Sequence, residues 1–195
     1  MIRIGITGGI GSGKSVVSQV LSLYQIPVYI ADNESKKLTN TSPIIREKLI
    51  NLLGPEVYTE NGLNKPFLAA SIFNNKTLLQ KVNLIIHPEV NRHFDEWCKQ
   101  QNTKCCAIES AILFESGFNK SVDLTLMVYA PVDIRIERAL LRDQTTIEAL
   151  QKRINSQISD EQKKVWANYT IINDGKQALL PQIEKFLEQK IKSLP

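Results

Sequence analysis

The sequence predicts a three-layer α/β/α fold on a parallel sheet, with an inserted helical lobe and a helical lid. Three observations predict it. Short β-rich runs alternate with amphipathic stretches, the order that gives parallel strands joined by crossover helices. The first of these runs ends in a cluster of glycines. From Ser42 to Gln100 strand signals are few, so that stretch reads as a helical insertion in an α/β core.

Each element has its own reason. Ile2 to Thr7 is short and apolar, as a strand buried on both faces should be. Lys14 to Tyr24 carries Val16, Val17, Val20, Leu21 and Tyr24 at helical spacing, and Pro27 to Ile30 closes a strand–helix–strand unit. In the insertion, Ile45, Leu49, Leu52 and Leu53, then Leu68, Ile72 and Phe73, again repeat at helical spacing. Gly54-Pro55 and Asn61-Gly62 mark turns there. Pro66 suits the first turn of a helix started by Asn64. Strand signals return at Lys104 to Ser110 and at Val122 to Tyr129. Pro131 opens a helix to about Arg142, and Gln144 to Lys164 reads as a polar, exposed helical stretch. Tyr169 to Ile172 is a last strand, stopped by Asn173-Asp174-Gly175. An amphipathic helix through Leu179, Ile183, Phe186 and Ile191 ends the chain. The expected organisation is a single domain with its core in 1–41, 102–142 and 165–195, a lobe in 42–101 and a lid in 143–164.

Composition removes several classes. The chain has 195 residues, 43% hydrophobic and 23% charged, enough for a core and unlike a disordered chain. Its net charge of +4 suits an anionic ligand without requiring nucleic acid. No apolar run is long enough to span a membrane, and the first residues lack the order of a signal peptide. Cys98, Cys105 and Cys106 are an odd count with an adjacent pair, a poor disulfide framework, so buried thiols in a cytoplasmic protein are expected. His87 and His93 do not stand at zinc-ligand spacing.

Gly8-Gly9-Ile10-Gly11-Ser12-Gly13-Lys14-Ser15 fits the phosphate-binding pattern G-x-x-x-x-G-K-S/T, between a strand and a helix. Glycines let successive backbone N–H groups face one concavity, and the helix N-terminus adds its positive end. Lys14 reaches β- and γ-phosphate oxygens, and the Ser15 hydroxyl suits Mg²⁺. A β-carbon at Gly11 or Gly13 is expected to crowd the phosphates.

Among P-loop proteins, a GTPase should carry Asn-Lys-x-Asp. Asn75-Lys76-Thr77-Leu78 and Asn119-Lys120-Ser121-Val122 both lack the aspartate. No transport-ATPase signature is present, which leaves a small-molecule kinase. Asp32 follows the second strand, at the sheet edge where ligands bind. It is either the group that orients an acceptor hydroxyl and takes its proton, or the N-cap of a helix from Asn33 to Leu38. Glu109 ends the run Cys105 to Ile108, as an acidic partner of the metal or as an exposed strand-end carboxylate. Arg135, Arg138 and Arg142 share a helix face. Arg142 and Arg153 flank a polar stretch suited to close over ATP, although solvated ion pairs also account for such arginines. Alternatives are another nucleoside or nucleotide kinase, or a non-catalytic nucleotide-binding regulator. An RNA-binding role is disfavoured because Glu137, Asp143, Glu148, Asp160 and Glu161 interrupt the basic residues of 135–164.

Taken together, the chain resembles the dephospho-CoA kinase family over nearly its whole length. The resemblance rests on Gly5 to Ser15, Ala31-Asp32, Leu63-Asn64-Lys65, Ile72-Phe73 and Asn83-Leu84-Ile85-Ile86-His87-Pro88. It continues through Leu113-Phe114-Glu115, Arg138, Arg142-Asp143, Arg153-Ile154 and Gln157, then Ala167-Asn168-Tyr169 and Asn173-Asp174-Gly175. The family's first aspartate is Ile30 here, leaving Asp32 to serve alone. Its proline is Ala111, with Ile112 for the next leucine, and Asn168 replaces an aspartate.

The resemblance implies Mg²⁺-ATP-dependent phosphorylation of the ribose 3′-hydroxyl of dephospho-CoA, the last step of coenzyme A biosynthesis. It implies ATP contacts from Gly8, Gly9, Gly11, Ser12, Gly13, Lys14, Ser15 and Val16, with Asn173 and Gly175 near adenine. Asp32, Lys14 and Arg142 would carry catalysis, and Asp32, His87, Leu113 and Glu115 would meet the acceptor. Ser15 and Glu109 would serve the metal. His87 also reads as a helix-start histidine packed beside Pro88. The expected partner is the small-molecule acceptor, with neither nucleic acid nor membrane, in a monomer or small homo-oligomer.

Overall fold

The computed structural model describes residues 1–192 of the chain. In chain order it begins with β1 (Ile2–Thr7), α1 (Lys14–Leu23), β2 (Val28–Ile30), α2 (Ala31–Thr41) and α3 (Pro43–Leu53). A 3₁₀ turn (Pro55–Val57), β3 (Tyr58–Thr59), β4 (Gly62–Leu63), α4 (Lys65–Ile72) and α5 (Lys76–Lys99) follow. Then come β5 (Cys105–Glu109), a second 3₁₀ turn (Phe118–Ser121), β6 (Leu124–Tyr129), α6 (Val132–Arg142), α7 (Ile147–Asn155) and α8 (Asp160–Trp166). The last elements are β7 (Tyr169–Ile172), α9 (Leu179–Leu187) and a π-helical turn (Glu188–Lys192). The chain divides into two units: Met1–Ile30 with everything from Gln101 onward, and Ala31–Gln100.

The first unit holds a parallel five-stranded sheet in the order β2-β5-β1-β6-β7. Strand alternation decides its two faces. Ile4 and Ile6 of β1, with Leu126 and Val128 of β6, pack against Val17 and Leu21 of α1 and Ile183 and Phe186 of α9. All eight side chains are closed to solvent. Gly5 faces the opposite way, where a β-carbon would meet Leu113 and Val122. The register brings strand ends level: Glu109 of β5 lies beside Ile6 on one flank and Ile30 on the other. That shared end is where the phosphate loop begins.

The second unit is helical and builds its own core from Ile45, Leu49, Val57, Tyr58 and Val82. Side chains start its helices: Ser42, Asn64 and Asn75 each accept the backbone N–H three residues on. Within this stretch the structure adds a small antiparallel hairpin, β3 with β4, around Asn61-Gly62. Strands of two residues are too short to show a period, so the sequence reading registers only their turn.

Three further readings are corrected. The polar stretch 144–164 is two helices, broken where Ser159 accepts the Gln162 N–H to cap α8. It is not uniformly exposed, since Leu150 and Lys163 are both 0% exposed. The helix after β2 begins at Ala31, so Asp32 lies inside its first turn rather than capping a helix from Asn33. His87 is not at a helix start: α5 runs unbroken from Lys76 to Lys99 with Pro88 inside it. Proline removes one backbone donor there, but packing of Val82, Val90 and Phe94 carries the helix through. Among the described residues no helix is long and apolar enough to cross a membrane.

Candidate active site

The loop between β1 and α1 turns with left-handed backbone at Gly11 (φ 79°) and Gly13 (φ 92°). Its neighbours also forbid side chains. A β-carbon at Gly11 would run into the backbone of Arg135, and one at Gly13 into the Asn173 amide. The protein's own packing therefore already requires glycine at both positions. Gly13 caps α1 without a side-chain hydrogen bond, and the first turn of α1 contains no acidic residue. With no side-chain cap and no carboxylate in that turn, the positive end of the helix suits an anion.

Around this loop the structure gathers residues from far along the chain. Lys14 Nζ donates to the Gly9 carbonyl at 3.3 Å. Ser15 Oγ donates to Glu109 Oε1 at 3.1 Å. Asn173 Nδ2 donates to the Ser12 carbonyl at 2.8 Å, and Arg138 Nη1 donates to the Asn173 carbonyl at 2.9 Å. Gly175 stands 3.8 Å from Arg138 Nη2, measured from where its β-carbon would be. Arg138, Asn173 and Gly175 thus form one corner beside the loop.

Glu109 is 7% exposed, which excludes the exposed strand-end alternative. Its Oε2 is buried without a hydrogen-bond partner, as are the hydroxyls of Thr7 and Ser12 in and beside the loop. An anionic oxygen left unsatisfied in a buried site is costly. A serine hydroxyl beside a carboxylate is an all-oxygen donor set, which fits a hard divalent cation. Among the described residues no group of three or more His, Cys, Asp or Glu side chains could hold a metal alone. Such an ion would depend on phosphate and water for its remaining ligands.

A family model described as dephospho-CoA kinase matches residues 2–178 of this chain. The chain belongs to the dephospho-CoA kinase family. A dephospho-CoA kinase of Bacteroides fragilis (strain YCH46) is 50% identical over 194 residues, spanning 97% of this chain and 95% of the relative. The crystal structure of a Thermus thermophilus protein is similar at a TM-score of 0.83 and 29% identity, covering 100% of this chain and 98% of that one. A dephospho-CoA kinase from Campylobacter jejuni, 22% identical, shares the fold at a TM-score of 0.69 over 97% of both chains.

The residues that the dephospho-CoA kinase resemblance singles out fall into distinct places. Gly8, Gly9, Gly11, Ser12, Gly13, Lys14 and Ser15 form the loop and the start of α1, and Val16 is exposed on that helix. Glu109, Asn173 and Gly175 stand beside the loop as described. Arg142 does not bond to it: its Nε and Nη2 donate to the two carboxylate oxygens of Asp143, each at 2.9 Å. That pairing draws the Asp143 carboxyl below its ordinary value, with Arg153 assisting. Leu113 is fully buried against the Gly5 position, a core side chain where direct acceptor contact was expected. Glu115 accepts from Lys163 Nζ at 2.8 Å and from the Ile158 N–H at 2.9 Å, so it anchors the chain entering α8. Asp32 and His87 lie in the helical unit, Asp32 exposed in the first turn of α2 and His87 half-buried in α5. Burial lowers the His87 imidazole from its ordinary value. Asn168, the residue before β7, accepts from both the N–H and the hydroxyl of Thr125 and so ties the start of β7 to β6.

Sequence reasoning gave no role to Asp160 or Lys163 and noted Arg135 only as one of three arginines on a helix face. Arg135 Nε donates to the Ile10 carbonyl at 3.0 Å, and its Nη1 binds Asp160 Oδ2. Lys163 Nζ also donates to the Ala111 carbonyl at 2.7 Å. No local signal marks these residues, because polar side chains in helices are ordinarily solvated. Only the Ser159-to-Gln162 cap pattern was visible in advance.

Proposed function

We propose that this chain transfers the γ-phosphoryl group of ATP to the ribose 3′-hydroxyl of dephospho-CoA, giving CoA and ADP in the last step of coenzyme A biosynthesis. Family membership supports the substrate pair. The observation that carries the chemistry is the loop itself, with the uncapped N-terminus of α1, Lys14, and Ser15 joined to the buried Glu109. Backbone N–H groups of Gly11 to Ser15 would hold the phosphates, and Lys14 would neutralise charge on the transferred group. Ser15 and Glu109 would hold Mg²⁺, which when bound neutralises phosphate charge.

Asp32 is the proposed base. It follows β2, whose last residue is level with Glu109 at the strand ends. Its carboxylate would orient the acceptor hydroxyl and take its proton as the bond to phosphorus forms. Residues 42–101 are proposed as the CoA-binding lobe, with His87 in it. Residues 143–164 are proposed as the lid, and Arg142, at the end of α6 just before it, would exchange Asp143 for phosphate oxygens. Asn173 and Gly175 are proposed to border adenine. Cytoplasmic location, absence of a nucleic-acid partner and a monomer or small homo-oligomer belong to the same reading.

A coupled ADP-release assay tests it. Turnover should depend on dephospho-CoA and on Mg²⁺. Turnover with a nucleoside monophosphate and none with dephospho-CoA would reassign the acceptor.

A further inference from the structure

The phosphate loop is gripped from outside by a buried ion pair that the loop's own sequence does not specify. Arg135 lies in α6 and Asp160 is the first residue of α8; their side chains are only 5% and 8% exposed. The guanidinium is forked between two tasks. Its Nε fixes the Ile10 carbonyl, and its Nη1 takes the Asp160 carboxylate. Asp160 in turn reaches the loop: a β-carbon on Gly9 would overlap the guanidinium and come within 2.7 Å of Asp160 Oδ2. Burial pushes the Asp160 carboxyl up, and Arg135, Lys163, the Gly9 amide and Lys14 oppose that push. The Ile10 side chain is held as well, packed with Ala139 of α6 and Leu150 of α7.

Burying two full charges is a poor way to gain stability, since desolvation offsets most of their attraction. The two-pronged geometry has another consequence. It fixes the Gly9–Ile10 segment, and the Gly9 carbonyl is the group to which Lys14 donates. We infer that Arg135 and Asp160 are positioning residues: by holding Gly9 and Ile10 they set the Lys14 ammonium and the loop amides in place for phosphate. The kinetic part of this inference rests on the phosphoryl-transfer reading above, whereas its nucleotide-binding part does not.

Two singles, Arg135→Gln and Asp160→Asn, their double, and Arg135→Lys form the test, read by steady-state kinetics, ADP titration calorimetry and thermal melting. Each single should lower kcat and weaken ADP binding by about 10- to 100-fold, with KM for dephospho-CoA nearly unchanged. The double should lose little beyond the worse single, because the two side chains act as one unit. Arg135→Lys keeps the charge but not the fork, so it should recover only part of the loss. A lower melting temperature with kcat and ADP affinity at parental levels would make the pair merely structural and overturn the inference. Additive losses in the double would overturn it too. Should Arg135→Gln fail to fold, Asp160→Asn, nearly isosteric, decides alone. If the parent shows no turnover with dephospho-CoA, the proposed function falls, and the ADP affinities still decide whether the pair positions the loop.

Discussion

The helical unit of residues 31–100 and the phosphate-loop face of the sheet unit are held by contacts of different range. In the helical unit, helix starts are set three residues away: Ser42 by the Ile45 N–H, Asn64 by that of Phe67, Asn75 by that of Leu78. At the loop, Ser15 is bound by a residue 94 positions on, Ile10 by one 125 positions on, and Ser12 by one 161 positions on. In the helical unit, local caps set the helix starts and an apolar cluster packs the helices together. A loop that must present amides and an ammonium in one geometry needs side chains that only the finished fold delivers.

This contrast can be broken or sharpened by experiment. The largest effect is expected where the helical unit supplies chemistry. Asp32→Asn should slow transfer by roughly 10²- to 10⁴-fold with ATP affinity nearly intact, seen in single-turnover kinetics. Normal turnover would confine the unit to binding. Lys14→Ala should cost roughly 10²- to 10³-fold in kcat while the melting temperature stays close to the parent's. Glu109→Gln keeps the shape but not the charge beside Ser15. The Mg²⁺ concentration for half-maximal rate should rise roughly 10-fold, and an unchanged Mg²⁺ profile would detach Glu109 from the metal.

The smaller effects fall on the helical side. Asn64→Ala removes a local cap and should cost about 1 kcal/mol of stability, read by urea unfolding, with kcat unmoved. A large fall in kcat would show that the local cap serves the chemistry after all. His87 gives the smallest. Because burial lowers its folded value, the unfolded chain binds the proton first on acidification. Its contribution is complete above an unfolded value of about 6.5 and is lost as pH falls below that. Melting temperatures across this range should drop less steeply for His87→Gln, and equal slopes would remove His87 as the cause.

Much of the fold was legible because its signals are short-ranged. Ile2 to Thr7 and Tyr169 to Ile172 read as strands and are strands. The glycine loop was legible for the same reason, and Glu109 was placed correctly at a strand end. The misreadings share one cause. Lys163 looks solvated in a polar helix, yet Glu115 and the Ala111 carbonyl make it wholly buried. Leu113, beside Glu115 in a motif, points into the core while Glu115 anchors α8.

By itself, the sequence determined the alternation of strands and helices, the loop that follows β1, and the capped helices of the insertion. Each depends on backbone preference and on residues within a turn or two of one another. Only the tertiary structure decided that Arg135, Asp160, Glu109 and Asn173 close on that loop. The fate of a charged or amide side chain depends on which partner lies within about 3 Å once the sheet is assembled, a distance that separation along the chain does not encode.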